Sequence, residues 1–162
     1  MKFLVFATLM ITLETQAGYP EYQVIEGVNK SVLGLQTKFK ISKSKKDYRI
    51  EEIHFGEKKF ALDIQENFFN DQPIPFFEVK FKKKKNVKVF ALLATSGTSG
   101  RSFHYFLDNG KDIKYSGLHP EIFVEDETGD FISVEHDGPR VWVSSWELKT
   151  KGFKLIKTEE GR

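Results

Sequence analysis

The chain has no cysteine among its 162 residues. Disulfide frameworks, thiol nucleophiles and thiolate metal sites are therefore closed to it, and burial of apolar side chains must hold its fold. Methionine and tryptophan are scarce, at two residues each, and there are five prolines. Charge of one sign is also missing. The 25 Lys and Arg stand against 23 Asp and Glu, for a formal net charge of +2. That balance creates no global demand for an anionic partner, and no nucleic acid is expected. Beyond the N-terminal segment no run approaches the roughly 20 apolar residues that cross a bilayer as a helix. Catalytic constellations are absent as well. The four histidines, His54, His104, His119 and His136, show no metal-ligand spacing. Gly97-Thr98-Ser99-Gly100 lacks the glycine spacing and the following helix of a nucleophile elbow. No catalytic residue, no metal site and no cofactor are expected.

What the chain has in quantity is phenylalanine, sixteen residues that each bury a large area. At the N-terminus, Met1-Lys2 precedes the uncharged run Phe3 to Leu13, and Glu14-Thr15-Gln16-Ala17 follows with small residues where a signal peptidase needs them. The segment is expected to be an export signal over residues 1–17, cleaved after Ala17. Residues 18–162 would then form a single domain in the periplasm or outside the cell.

Period-two alternation marks the strands. Leu33, Leu35, Phe39 and Ile41 share one parity, with polar Gln36, Lys38 and Lys40 between them. Further strands are expected at Tyr22 to Ile25, Tyr48 to Phe55, Lys59 to Ile64, Phe76 to Phe81, Val87 to Ala94 and Ser102 to Leu107. The series ends with Ile122 to Glu125, Asp130 to Glu135, Val141 to Leu148 and Phe153 to Lys157. Turns fall at Gly56-Glu57, Ser96 to Gly100 and Asp108-Asn109-Gly110, and Glu66 to Pro75 reads as a loop. No window carries a helical apolar face. The pattern predicts an all-β fold, an antiparallel meander or a small propeller-like or sandwich domain of roughly ten short strands.

Local charge is uneven. Lys80, Lys82, Lys83, Lys84, Lys85 and Lys88 form a basic block, which reads as a solvated sheet edge. From Gly117 to Gly138 there is no Lys or Arg, and Glu121, Glu125, Asp126, Glu127, Asp130, Glu135 and Asp137 accumulate. Asp126-Glu127-Thr128-Gly129-Asp130 falls short of a calcium loop and reads as a hairpin tip. Trp142 and Trp146 share parity on one strand, so they can face the same side.

The stretch from Tyr48 to Glu160 resembles periplasmic lysozyme-inhibitor-like and toxin-immunity proteins of the xanthomonad type. The resemblance rests on YRIEEIHFGEKKFALDI, the strand Val89 to Leu93, the segment ATSGTSGRSFHYFL, FHYFLDNGKDIKYSGLHPEI and the closing FISVEHDGPRVWVSSWELKTKGFKLIKTEEG. Where that family has an acidic calcium loop, this chain offers Lys80, Lys82 and Lys83, with Glu78 and Asn86 as the remaining ligands; ammonium groups repel a divalent ion. The resemblance implies a non-enzymatic binder that plugs the cleft of a muramidase or another peptidoglycan-hydrolase toxin. The expected partner-binding loop comprises Ser96, Ser99, Gly100, Arg101, Ser102, His104 and Tyr105. The alternative is an envelope module that binds carbohydrate or anionic polymer through Trp142, Trp146, Tyr105 and the lysines.

Overall fold

The computed structural model describes residues 21–32, 35–43, 48–66, 76–79, 87–125 and 130–161. The expected export signal, residues 67–75 of the expected loop, Lys80 to Lys85 and residues 126–129 of the expected hairpin tip lie outside them; Glu66, expected to open that loop, instead ends the strand Lys58–Glu66. Every regular element among the described residues is a strand. Twelve strands run β1 Glu21–Val32, β2 Leu35–Lys43, β3 Tyr48–Phe55, β4 Lys58–Glu66, β5 Phe76–Val79, β6 Lys88–Gly97, β7 Gly100–Asp108, β8 Ile113–Pro120, β9 Phe123–Val124, β10 Phe131–Asp137, β11 Arg140–Lys149 and β12 Gly152–Glu160. The all-β expectation holds. The strands form three antiparallel meanders, each of four strands in chain order: β1 to β4, β5 to β8 and β9 to β12.

The three sheets are layered, with the middle sheet between the other two. Its strands β6 and β7 explain why. Val89 to Ala94 and Phe103 to Leu107 are apolar on both parities, the signature of a strand buried on both faces. Phe90, Leu92, Ala94 and Phe106 pack with Phe39, Ile41, Ile50, Ile53, Phe55 and Ile64 of the first sheet. Val89, Ala91, Phe103, Tyr105 and Leu107 pack with Phe131, Leu148 and Phe153 of the third. Aromatic edges fix both interfaces. Phe55 and Phe106 meet with ring centroids 5.4 Å apart, and Tyr105 and Phe153 at 5.2 Å.

Breaks in parity are absorbed by bulges. Ile50 and Ile53 are an odd number of residues apart, yet both point into the core. The register between β3 and β4 shifts between Ile50 and Glu52, which restores the facing. The outer face of the first sheet is charged. Arg49 pairs with Asp63 at 2.7 Å, Lys40 with Glu52 at 3.2 Å, and His54 Nε2 lies 2.7 Å from Glu52. Lys58 reaches across to Asp112, just ahead of β8 in the middle sheet.

Sequence and structure differ at β1, at β8 and at the hairpin end of β6 and β7. β1 extends well past Tyr22 to Ile25, although Gly27 and Asn29 blur its pattern. As an edge strand it is held through its backbone pairing with β2. β8 is an addition to the expected set. Its pattern is broken by a bulge at Ser116, and Gly117 has a φ of +114°. The stretch Ser96 to Gly100 is no loop: β6 and β7 pair as far as Gly97 and Gly100, so that the turn is Thr98-Ser99 alone.

Candidate functional site

The third sheet supplies an open groove. Antiparallel hairpin β10–β11 is closed by Gly138-Pro139, with Gly138 at a φ of +60° and proline fixing the next φ. This turn dictates the register: Glu135 stands opposite Trp142, Ser133 opposite Ser144 and Phe131 opposite Trp146. All of these point to the face that looks toward the middle sheet. At one end of that face Phe131, Leu148 and Phe153 seal against Tyr105. Twisted sheets that pack face to face diverge at their corners. At the other end the face stays uncovered, and a groove of about 570 Å³ opens there. Its lining includes Trp142, Trp146, Glu135, Asp137, Ser144 and Thr158, with Leu155 on the floor and Ser99 and Pro120 at the wall. The volume falls within the range of small-ligand sites.

Hydrogen bonds fix the wall and part of the floor. The His136 N–H donates to Ser99 O at 3.2 Å, tying the tip of the β6–β7 hairpin to β10. Trp146 Nε1–H donates to Ser133 Oγ at 2.9 Å, and its ring meets His119 edge-on at 5.1 Å. The hydroxyls of Ser144 and Thr158 share a bond of 2.8 Å. His119 is half-buried, which pushes its pKa down, and its Nε2 lies 2.9 Å from Ser116 O. Behind the wall, Tyr105 Oη donates to Pro120 O at 3.3 Å and accepts from the Ile122 N–H at 2.9 Å. Burial pushes the Tyr105 hydroxyl up to about 12.

The expected site residues separate into two groups. Ser96, Ser99, Gly100 and Arg101 are exposed at the hairpin tip, and Ser102 is half-buried just below. Arg101 is engaged by Glu121, with Nη2 at 2.9 Å and Nε at 3.0 Å from one carboxylate oxygen. His104 and Tyr105 are corrections. Only 7% of His104 and 1% of Tyr105 is exposed. Alternation along β7 sends His104 between the first and middle sheets and Tyr105 between the middle and third. Neither ring is on a partner surface, and Tyr105 is no stacking platform. Of the lysine block, Lys88 is described and exposed on β6.

Two separate expectations converge on one place: Ser99, from the expected loop, and Trp142 with Trp146, from the carbohydrate alternative, line the same groove. Sequence reasoning missed Glu135, Asp137, Ser144, Leu155 and Thr158. The available signal was the Gly138-Pro139 turn, whose register places Glu135 beside Trp142. Among the described residues no group of three or more His, Asp or Glu is placed to hold a metal ion. Nor is there a helix long and apolar enough to cross a membrane. No family model, curated protein or solved structure matches the chain.

Proposed function

We propose that this protein is a non-catalytic binder of saccharide chains, which it takes into the groove on the third sheet. The observation that carries the reading is the placement of Trp142 and Trp146 on one rigid sheet face, flanked by the Ser144 and Thr158 hydroxyls. Sugar rings present C–H faces that stack on indole and hydroxyls that need polar partners, and this groove offers both. A β-sheet floor keeps the two indoles in position before binding, so little ordering is required. The carboxylates of Glu135 and Asp137 oppose an anionic polymer in this groove. The leader-like order of residues 1–17 supports an envelope setting for the binder.

The cleft-plugging reading draws on the hairpin tip, where Ser96, Ser99 and Gly100 remain exposed. It has fewer groups to use, since Arg101 is occupied by Glu121 and Tyr105 is buried. Titration of the protein with soluble neutral and amino-sugar oligomers, followed by tryptophan fluorescence, tests the proposal. Saturable binding that disappears in Trp142→Ala supports it. Muramidase inhibition without binding of any saccharide overturns it in favour of the tip.

A further inference from the structure

Resting on the saccharide reading, we infer that the groove selects sugars carrying a free, protonated amino group. Glu135 sits directly across the β10–β11 ladder from Trp142, and residues so paired have Cβ atoms roughly 5 Å apart. Its side chain is half-buried in the groove, and it has no ion pair or hydrogen bond among the described residues. Asp137, two residues further along the same face, has none either. On the other flank of Trp142 stands Glu160 of β12. The guanidinium of Arg140 is turned to Glu160, with Nε 3.9 Å from the carboxylate, and both are exposed. On β12, Lys157 is engaged by Glu159 at 2.9 Å. Arg140 stands across the ladder from Asp137 and His136 also lines the groove, but Glu135 itself remains a half-buried carboxylate with no ion pair among the described residues, beside an indole face.

That combination fits a cation. A carboxylate withdrawn from water gains most when a charged donor replaces the lost solvent. Indole adds attraction for an ammonium held over its ring. An amino sugar satisfies both at once: its ring stacks on Trp142 while its ammonium meets Glu135. An N-acetylated sugar of the same length loses the charge contact and leaves Glu135 desolvated by a neutral neighbour. A uronic acid meets repulsion from Glu135 and Asp137.

The test titrates the full chain with four probes of equal length: a glucosamine oligomer, its N-acetylated counterpart, a neutral glucose oligomer and oligolysine. Mildly acidic buffer keeps the amino groups charged. The glucosamine oligomer is expected to bind about tenfold or more tightly than the two uncharged oligomers. In Glu135→Gln that gap closes, with the wild-type circular-dichroism spectrum and melting temperature retained, which a misfolded variant would not show. Added salt narrows the gap in the wild type. Equal affinity for all three saccharides overturns the selectivity and leaves the saccharide reading standing. Tighter binding of oligolysine overturns it in favour of a peptide cation. Binding of no saccharide removes both readings together.

Discussion

Trp146 donates its Nε1–H to Ser133 Oγ at 2.9 Å, a bond made across the β10–β11 ladder. It locks one indole of the groove into the fold. Trp142, half-buried on the same face, has no such bond among the described residues. The two tryptophans should therefore respond differently to truncation. Trp142→Ala is expected to weaken saccharide binding by about tenfold or more, with stability changed by less than about 1 kcal/mol. Trp146→Ala is expected to lose binding and also about 2–4 kcal/mol of stability, because His119 and Ser133 lose their partner. Urea denaturation beside ligand titration separates the two; equal stability losses would contradict the assignment.

Tyr105 bridges β8 and the start of the third sheet through its hydroxyl. Tyr105→Phe keeps the ring packing and strands the buried Ile122 N–H. The expected cost is about 1–3 kcal/mol in a denaturant midpoint, with the fold intact by circular dichroism. A loss near zero would mean that water reaches that amide.

Gly152 marks a close approach of β12 to β8. Its φ is +142°, and a Cβ built there would lie 2.9 Å from both Cα and Cβ of Ser116. The Phe153 N–H donates to Ser116 Oγ at 2.7 Å in the same contact. Gly152→Ala is expected to destabilise by about 1–3 kcal/mol or more. Gly97→Ala provides the control. Nothing lies within 4 Å of the place its methyl group would take, and thermal melting should barely change.

Stability should fall in acid because of His104. Burial lowers its pKa from 6.5 to about 4, and its Nδ1 shares a 2.6 Å hydrogen bond with the Tyr115 hydroxyl. The folded value lies below the unfolded one. The unfolded chain therefore binds more protons as the pH drops from 6.5 toward 4, and the folded state loses ground through that window. His119, also lowered, adds in the same direction. The His104 contribution is expected to reach about 3 kcal/mol, read as a falling urea midpoint. His104→Gln should flatten the slope; an unchanged slope would acquit His104.

Arg101 and Glu121 form an exposed pair, with 55% and 43% of their side chains open to water. Arg101→Ala is expected to shift stability by less than about 1 kcal/mol and to leave groove binding unaltered. A large loss of ligand affinity in this variant would move the site to the hairpin tip.

The strands that were legible in the sequence are those whose side chains alone declare their surroundings. Val89 to Ala94 is apolar throughout because both faces are covered, and Phe39 with Ile41 alternates with lysines because one face is wet. β8 gave no such signal, since the bulge at Ser116 breaks its parity and Tyr115 and Leu118 are exposed. The tryptophan pair was legible through shared parity. The role of Glu135 was not, because it depends on a cross-strand register set by a turn. His104 and Tyr105 misled for a related reason: in a strand covered on both sides, polar and aromatic residues next to an exposed turn are drawn inside.

The middle sheet is covered on both of its broad faces over Val89 to Ala94 and Phe103 to Leu107. Removing either neighbouring sheet would therefore expose a wall of phenylalanines and aliphatic side chains rather than a smaller soluble unit. Fragments ending near Pro120, or starting near Phe76, should clump when expressed alone and become soluble when the missing piece is supplied in trans. The three meanders are consecutive in the chain, yet they are expected to survive only as a trio.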